Sequence, residues 1–272
     1  MSILAQFGIF SDAHYANGII GERYSSDSPS KLHDCISILN RKKIPVAFNM
    51  GDLVDRLETD LPGTEKTYLQ QILPVVCRFN GKIHHVLGNH DAKGMTKQEF
   101  REVVDLEPHP PFYSTTIGNV HCIILDGNFN EDFSDFSPLK NIWENAWFPP
   151  NEMSWLKNEL KQAKKSPVII FIHENCDNRS ENGVLNPHIL RNAGVLRKVL
   201  ESYGNVMGVI QGHYHPGMTT VINGIPYLGI TAMATGPGTE NNAFAIVSLH
   251  DDGTIDVSGF GRQPSLTLRK EK

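Results

Sequence analysis

The sequence predicts an α/β fold built on a mixed or largely parallel sheet. Short apolar runs alternate with segments of helical period from Ala5 to Ile210, and most runs stop on a Gly, Asp, Asn or His. Strand-then-helix alternation of this kind is the pattern of βαβ units.

In order, Ala5 to Phe10 reads as a buried strand ending in Ser11-Asp12. Ser28-Pro29 opens a helix, Ser28 as its cap and Pro29 at the first helical position, with Leu32, Cys35, Ile36 and Leu39 at helical spacing. Val46 to Met50 is a second strand, stopping at Gly51-Asp52. A helix from about Thr64 carries Leu69, Ile72, Leu73 and Val76 on one face, and Pro74 kinks or shortens it. His84 to Leu87 makes a third strand, ending at Gly88-Asn89-His90-Asp91, and Thr96 with Glu99 forms a capping box for the next helix. Val120 to Leu125 and Val168 to Ile172 are further strands, separated by a helix marked by Met153, Leu156, Leu160 and Ala163. Asn186-Pro187 caps a helix bearing Ile189, Ala193, Leu196 and Leu200, and Val206 to Ile210 is a strand ending at Gln211-Gly212-His213. Beyond it the chain becomes antiparallel β, with Asn223-Gly224 and Asp252-Gly253 as hairpin turns.

No linker or repeat divides the chain, so residues 1–272 read as one domain. The least regular stretch is Gly127 to Pro150, whose six aromatics (Phe129, Phe133, Phe136, Trp143, Trp147, Phe148) argue against disorder. It is either a folded-back loop with its own small core or a cover over a substrate. A 40% hydrophobic content supplies a sizeable core, and a net charge of -5 argues against a nucleic-acid-coating protein. No apolar run approaches the ~20 residues a membrane helix needs. Met1 to Ala5 lacks the signal-peptide pattern, and the four scattered cysteines form no C-x-x-C pair and read as reduced thiols. A soluble cytoplasmic protein with no nucleic-acid or membrane partner is expected.

The chemistry lies in where the polar residues fall. Asp12 and His14, Asp52, Asn89 and His90, His173, and His213 with His215 each directly follow a predicted strand. Strand ends of an open α/β sheet converge on one edge, so residues scattered between positions 12 and 215 are expected to meet. Carboxylate, imidazole and amide groups together suit divalent first-row metals, Mn, Fe or Zn alike, and the set is large enough for two ions. Two such ions about 3.5–4 Å apart share a carboxylate and clamp the entering and leaving oxygens of an in-line displacement.

In the same order, Asp12-x-His14, Gly51-Asp52, Gly88-Asn89-His90-Asp91, His173 and Gly212-His213-x-His215 resemble the five blocks of the calcineurin-like metallophosphoesterase superfamily. The resemblance implies a four-layer α/β/β/α sandwich with a dinuclear metal site at the strand C-terminal ends. By matching position, it implies that Asp12, His14 and His215 hold one metal, Asn89, His173 and His213 the other, and that Asp52 bridges them. It also implies that His90 faces the scissile phosphate, oriented by Asp91. Within the superfamily, Phe7 to Ala16, Asn242-Ala243-Phe244 and Gly259-Phe260-Gly261-Arg262 are similar to the manganese-dependent ADP-ribose/CDP-alcohol diphosphatase group, which often carries Gln where this chain has His14. Gly51 to Arg56 is also similar to the Ser/Thr protein phosphatases, but Leu57, Asp91 and Gly212-His213-Tyr214-His215 depart from their pattern, and that branch is set aside.

The expected function is hydrolysis of phosphodiester or diphosphate bonds in small nucleotide-like substrates by metal-activated water. A phosphomonoesterase acting on a small metabolite is the alternative. A metal-bound scaffold without turnover is a third reading, against which the intact ligand set speaks. Arg56 is weighed as a phosphate contact against a surface ion pair, and Tyr15 and Tyr214 as pocket lining against packing. His33, His84, His85, His109, His121, His188 and His250 read as surface or core histidines, and Glu174-Asn175-Cys176 carries no readable role.

Overall fold

The computed structural model describes residues 2–104, 111–163 and 165–270; His109 lies outside them. In chain order the first elements are β1 (Ile3–Phe10), α1 (Ser28–Arg41), β2 (Val46–Asn49), α2 (Thr64–Val76), β3 (Lys82–His85), α3 (Asp91–Gly94), α4 (Lys97–Val103), β4 (Tyr113–Ile117), β5 (Val120–Ile124) and α5 (Pro150–Gln162). There follow β6 (Val168–Ile172), β7 (Ser180–Glu181), β8 (Val184–Leu185), α6 (Ala193–Ser202), β9 (Val206–Gln211), β10 (Met218–Ile222), β11 (Ile225–Gly229), β12 (Ala243–His250), β13 (Thr254–Gly261) and β14 (Leu266–Arg269).

Among the described residues the strands form two six-stranded sheets and the short β7-β8 pair. The first runs β14-β13-β12-β1-β2-β3, parallel from β1 to β3 and antiparallel from β1 outward through β12. The second runs β10-β11-β9-β6-β5-β4, parallel from β11 to β5 with an antiparallel strand on each edge. Alternate side chains explain the layering. Phe7 and Ile9 of β1, Phe48 of β2, and Ile169 and Phe171 of β6 point inward to an apolar layer between the sheets. There Phe48 stacks on Phe171 with ring centres 3.8 Å apart, and Phe7 meets both rings edge-on at 5.1 and 5.5 Å. On the outer face of β1, Gly8 leaves the room that Leu39 of α1 occupies. Behind the second sheet, Glu159 of α5 reaches His121 of β5 at 3.0 Å. The arrangement is the α/β/β/α sandwich. Phe171→Ala would open a void in the wholly buried middle layer, and we expect a loss of about 3–5 kcal/mol, read from the urea midpoint.

Several local expectations are corrected. Ser28 is not the cap of α1: it lies inside the helix, and its hydroxyl donates to the Ala13 carbonyl. The third strand spans Lys82–His85, two residues earlier than expected, because Leu87-Gly88 already turns into the strand-end loop. Asn186 begins no helix. Its side chain accepts the N–H of His188 at 3.0 Å, closing a turn with the chemistry of a cap, and the helix starts at Ala193. Pro74 sits inside α2, which ends two residues later. The capping box of Thr96 and Glu99 is present.

Residues 127–150 fold back onto the domain and not around a core of their own: Phe129, Phe136 and Phe148 are buried, and Phe136 and Phe148 join the main apolar cluster with Leu156 and Leu196. Asn192 ties this loop to the start of α6 through the N–H and carbonyl of Phe148. Trp143 stays half-exposed and faces the strand ends. Among the described residues no helix is long and apolar enough to cross a membrane.

Candidate metal centre

The polar residues that close β1, β2 and β3 in the first sheet and β6 and β9 in the second meet at one edge. Asp12 (φ 54°), His14 (φ 49°), Asp52 (φ 52°) and His213 (φ 65°) all adopt left-handed backbone conformations. This costs a non-glycine residue about 1–3 kcal/mol, and such strain gathers at functional sites. Cross-strand hydrogen bonds hold the strained loops: Asp12 N–H to Gly51 O at 3.1 Å, His14 N–H to Asp52 O at 2.8 Å and Gly212 N–H to His173 O at 3.1 Å. Two glycines are dictated by space. A Cβ on Gly51, itself at φ 103°, would lie 2.5 Å from Nδ1 of His173, and one on Gly88 would collide with the Asp52 carboxylate.

Among the described residues the free ligand atoms fall into three overlapping groups, Asp12 with His14 and His215, His14 with Asp52 and His90, and Asp52 with His173 and His213. Asp12 Oδ1 lies 3.7 Å from His14 Nε2 and 3.6 Å from His215 Nε2, and the two imidazole nitrogens are 3.0 Å apart. Asp52 Oδ2 lies 3.7 Å from His14 Nε2 and 3.3 Å from His173 Nε2. Candidate ligand atoms of Asp52, His173 and His213 all fall within 4.8 Å of one another.

Several neighbouring atoms are committed elsewhere. Asp12 Oδ2 accepts the Ser11 hydroxyl and the His213 N–H, Asp52 Oδ1 accepts the His90 N–H at 2.7 Å, and Nδ1 of His173 lies 2.7 Å from the Met50 carbonyl. A proton on that Nδ1 leaves the Nε2 lone pair for a metal, as backbone carbonyls do for metal-bound histidines generally. Among the described residues, Asp12 Oδ1, Asn89 Oδ1, His173 Nε2 and His213 Nε2 are buried without a hydrogen-bond partner. An unsatisfied buried group costs about 1–3 kcal/mol, and two divalent cations would satisfy all four.

Burial would raise the Asp52 carboxyl, but the imidazoles of His173, His90 and His14 hold it well below the carboxylate range. Burial and His173 keep His213 well below the imidazole range, and burial and His14 push His215 down to about 4. Against burial, Asp12 and Asp55 raise His14 to about 9 and Asp52 raises His173 well above the imidazole range; since ionised acids and neutral imidazoles are the forms that coordinate metal, cations there would take the place of those two protons.

His90 stands beside this centre, its ring 4.7 Å from that of His14. The structure corrects its expected partner. Asp91 does not orient His90; its carboxylate accepts the N–H groups of Asp52, Leu53 and Gly88 at 2.9–3.1 Å and so clamps the loop that carries Asp52. The partner is Asp55, whose Oδ1 lies 2.8 Å from His90 Nδ1. Its Oδ2 lies 3.3 Å from His14 Nδ1 and 2.9 Å from the Arg23 guanidinium.

Arg56 pairs with Glu65 at 3.4 Å. Tyr15 packs on Tyr68, while Tyr214 lies under the guanidinium of Arg179 and beside His188. His188, read from the sequence as surface or core, borders the centre, 4.8 Å from the ring of His213, and burial with the Arg179 charge lowers its proton affinity. Trp143 approaches His213 to 5.2 Å. Glu174 is wholly buried behind His173 and is pushed up to about 8 by burial. Asn175 donates to the Gly212 carbonyl, bracing the last ligand loop.

A sandwich whose strand ends gather Asp and His ligand atoms around Asp52, beside an unpaired buried Asn89 oxygen, fits a metallophosphoesterase. The family model for calcineurin-like phosphoesterases matches residues 5–217, and the chain belongs to that family. The serine/threonine-protein phosphatase CPPED1 of Danio rerio is 22% identical over 175 residues, which cover 62% of this chain and 53% of that protein. The match thus spans about half the length of the curated relative. Among solved structures, a dimetal phosphatase from Danio rerio superposes with a TM-score of 0.80 at 18% identity, over 99% of this chain and 100% of that one. The purple acid phosphatase PPD1 from yellow lupin seeds gives 0.65 at 13% identity, over 97% of this chain and 53% of that one. These structural likenesses establish the fold. None of the three proteins bears the name of the ADP-ribose/CDP-alcohol diphosphatase group, and the first carries the protein-phosphatase name that the motif departures had set aside.

Proposed function

We propose that this chain is a dinuclear metal-dependent phosphohydrolase that cleaves phosphodiester or diphosphate bonds of small nucleotide-like substrates, and that residues 1–272 form one such domain. The observation that carries the proposal is the set of overlapping Asp and His ligand groups linked through His14 and Asp52, together with buried ligand atoms of Asp12, Asn89, His173 and His213 that lack a hydrogen-bond partner. Asp12, His14 and His215 would hold one cation, and Asn89, His173 and His213 the other. Two divalent ions there, Mn, Fe or Zn, would polarise the phosphoryl group and make water nucleophilic at neutral pH. His90, held through Nδ1 by Asp55, would donate from Nε2 to the leaving oxygen in its doubly protonated, imidazolium form. Asp91 acts through the backbone, keeping Asp52 in place. The four unpaired cysteines fit a reducing, cytoplasmic setting.

The preference for a nucleotide-like substrate is supported by Trp143 beside His213, since an aromatic ring stacks on a base for roughly 1–3 kcal/mol. A second reading, a phosphomonoesterase acting on phosphoserine or phosphothreonine in proteins, is favoured by the name of the curated relative. A panel of ADP-ribose, a CDP-alcohol, a phosphopeptide and small aliphatic monoesters, assayed on the Mn-loaded chain, separates the two. We expect the nucleotide substrates to have the highest kcat/KM, and Trp143→Ala to lower it by about one to two powers of ten for them. Trp143→Ala is preferred to trimming residues 127–150, because Phe136 and Phe148 are part of the core. A phosphopeptide preference would reject the nucleotide reading and leave the hydrolase reading standing.

A further inference from the structure

His188 has a tautomer that the structure itself fixes. One oxygen of the Asn186 side chain, Oδ1, accepts the backbone N–H of His188 at 3.0 Å and lies 2.9 Å from its Nδ1. An atom that accepts a backbone N–H is the amide oxygen and not the nitrogen, so Nδ1 must carry the proton that points at it. Nε2 of the neutral ring is then a hydrogen-bond acceptor, and among the described residues no group of the chain donates to it.

The ring belongs to a wall on the His213 side of the centre. It stands 5.1 Å from Trp143 and 5.3 Å from Tyr214. Arg179 backs Tyr214 at 4.1 Å and is itself held by Asp177 at 2.9 Å, which makes the wall rigid. His90 lies on the other side, against His14. An acceptor here has no use for the phosphoryl group, whose oxygens are also acceptors. It needs an O–H carried a few bonds beyond phosphorus, with an indole beside it to cover a C–H face. That combination fits a sugar ring.

We propose that His188 is a specificity-determining residue that accepts a hydrogen bond from a sugar hydroxyl of the substrate, so that the site selects ribose-bearing phosphate esters or diphosphates. This rests on the nucleotide-like reading above and narrows it. The test compares kcat/KM of the Mn-loaded chain for a CDP-alcohol and for its 2′-deoxy and 3′-deoxy forms. The unmodified chain should lose roughly 10-fold or more when the contacted hydroxyl is missing, the range of a broken hydrogen bond that leaves its partner unpaired. In His188→Ala, and in Asn186→Leu, which keeps the imidazole but frees its tautomer, that ratio should fall to near one with two metals still bound per chain. If the unmodified chain turns over all three forms equally, or if both variants keep the discrimination, the inference is overturned and the hydrolase assignment stands. Turnover of phosphopeptides with none of any CDP-alcohol would instead overturn the nucleotide-like reading and this inference with it.

Discussion

Asp52→Asn is expected to strip the cations and bring metal-dependent turnover down to background while the chain stays folded. The substitution is nearly isosteric. An asparagine can still accept the His90 N–H through the oxygen that now does so. What changes is the position of Oδ2, which lies 3.3 Å from His173 Nε2 and 3.7 Å from His14 Nε2, between the two proposed metal positions. An amide NH2 there would point hydrogens at the space between the ligands, where positive charge is to be bound. Both sites should therefore weaken together. Elemental analysis, turnover and a thermal melt on the same preparation test this. Two metals per chain with near-normal turnover would show that Asp52 is not the bridge.

His90→Ala is expected to keep both metals and lose roughly 10²–10⁴ in turnover, the usual scale for removing a general acid–base group. The ring is held by Asp55 and not by the ligand clusters, so its loss leaves the orphaned atoms as they are. The deficit should shrink for nitrophenyl esters, whose leaving anion needs little protonation. Equal deficits across leaving groups would place His90 on the phosphoryl oxygens alone. His90 also lies close enough to His14 and Asp52 to form a ligand group of its own. A variant that lost one metal would therefore make it a ligand and not a donor.

What the sequence disclosed and what it hid follow from one physical difference. The strands of both sheet centres are short apolar runs cut off by Gly, Asp or His, and such breaks mark strand ends without any tertiary information. Because parallel strands of one sandwich end on one edge, the ligand candidates were legible together. Pairings that arise through space were not. Asp91 follows His90 in the chain, but α3 begins there and turns the Asp91 carboxylate under Gly88, away from the imidazole. Asp55, three residues beyond Asp52, reaches His90 from another strand end. The Gly51-Asp52-x-x-Asp55 spacing is the signal the sequence offers for it. The place of His188 is hidden because Asn186-Pro187 looks like a helix start, whereas its cap closes a turn beside His213. Strand β4 is not legible because Tyr113-Ser114-Thr115-Thr116-Ile117 sits at a sheet edge, mostly half-exposed and too polar to read as a buried run.

Whether two cations share Asp52 is measured most directly by anomalous scattering from crystals of the Mn-loaded protein. Two peaks about 3.5–4 Å apart are expected, one beside Asp12, His14 and His215, the other beside Asn89, His173 and His213, with Asp52 touching both. A single peak, or two peaks with Asp52 bound to neither, would contradict that arrangement.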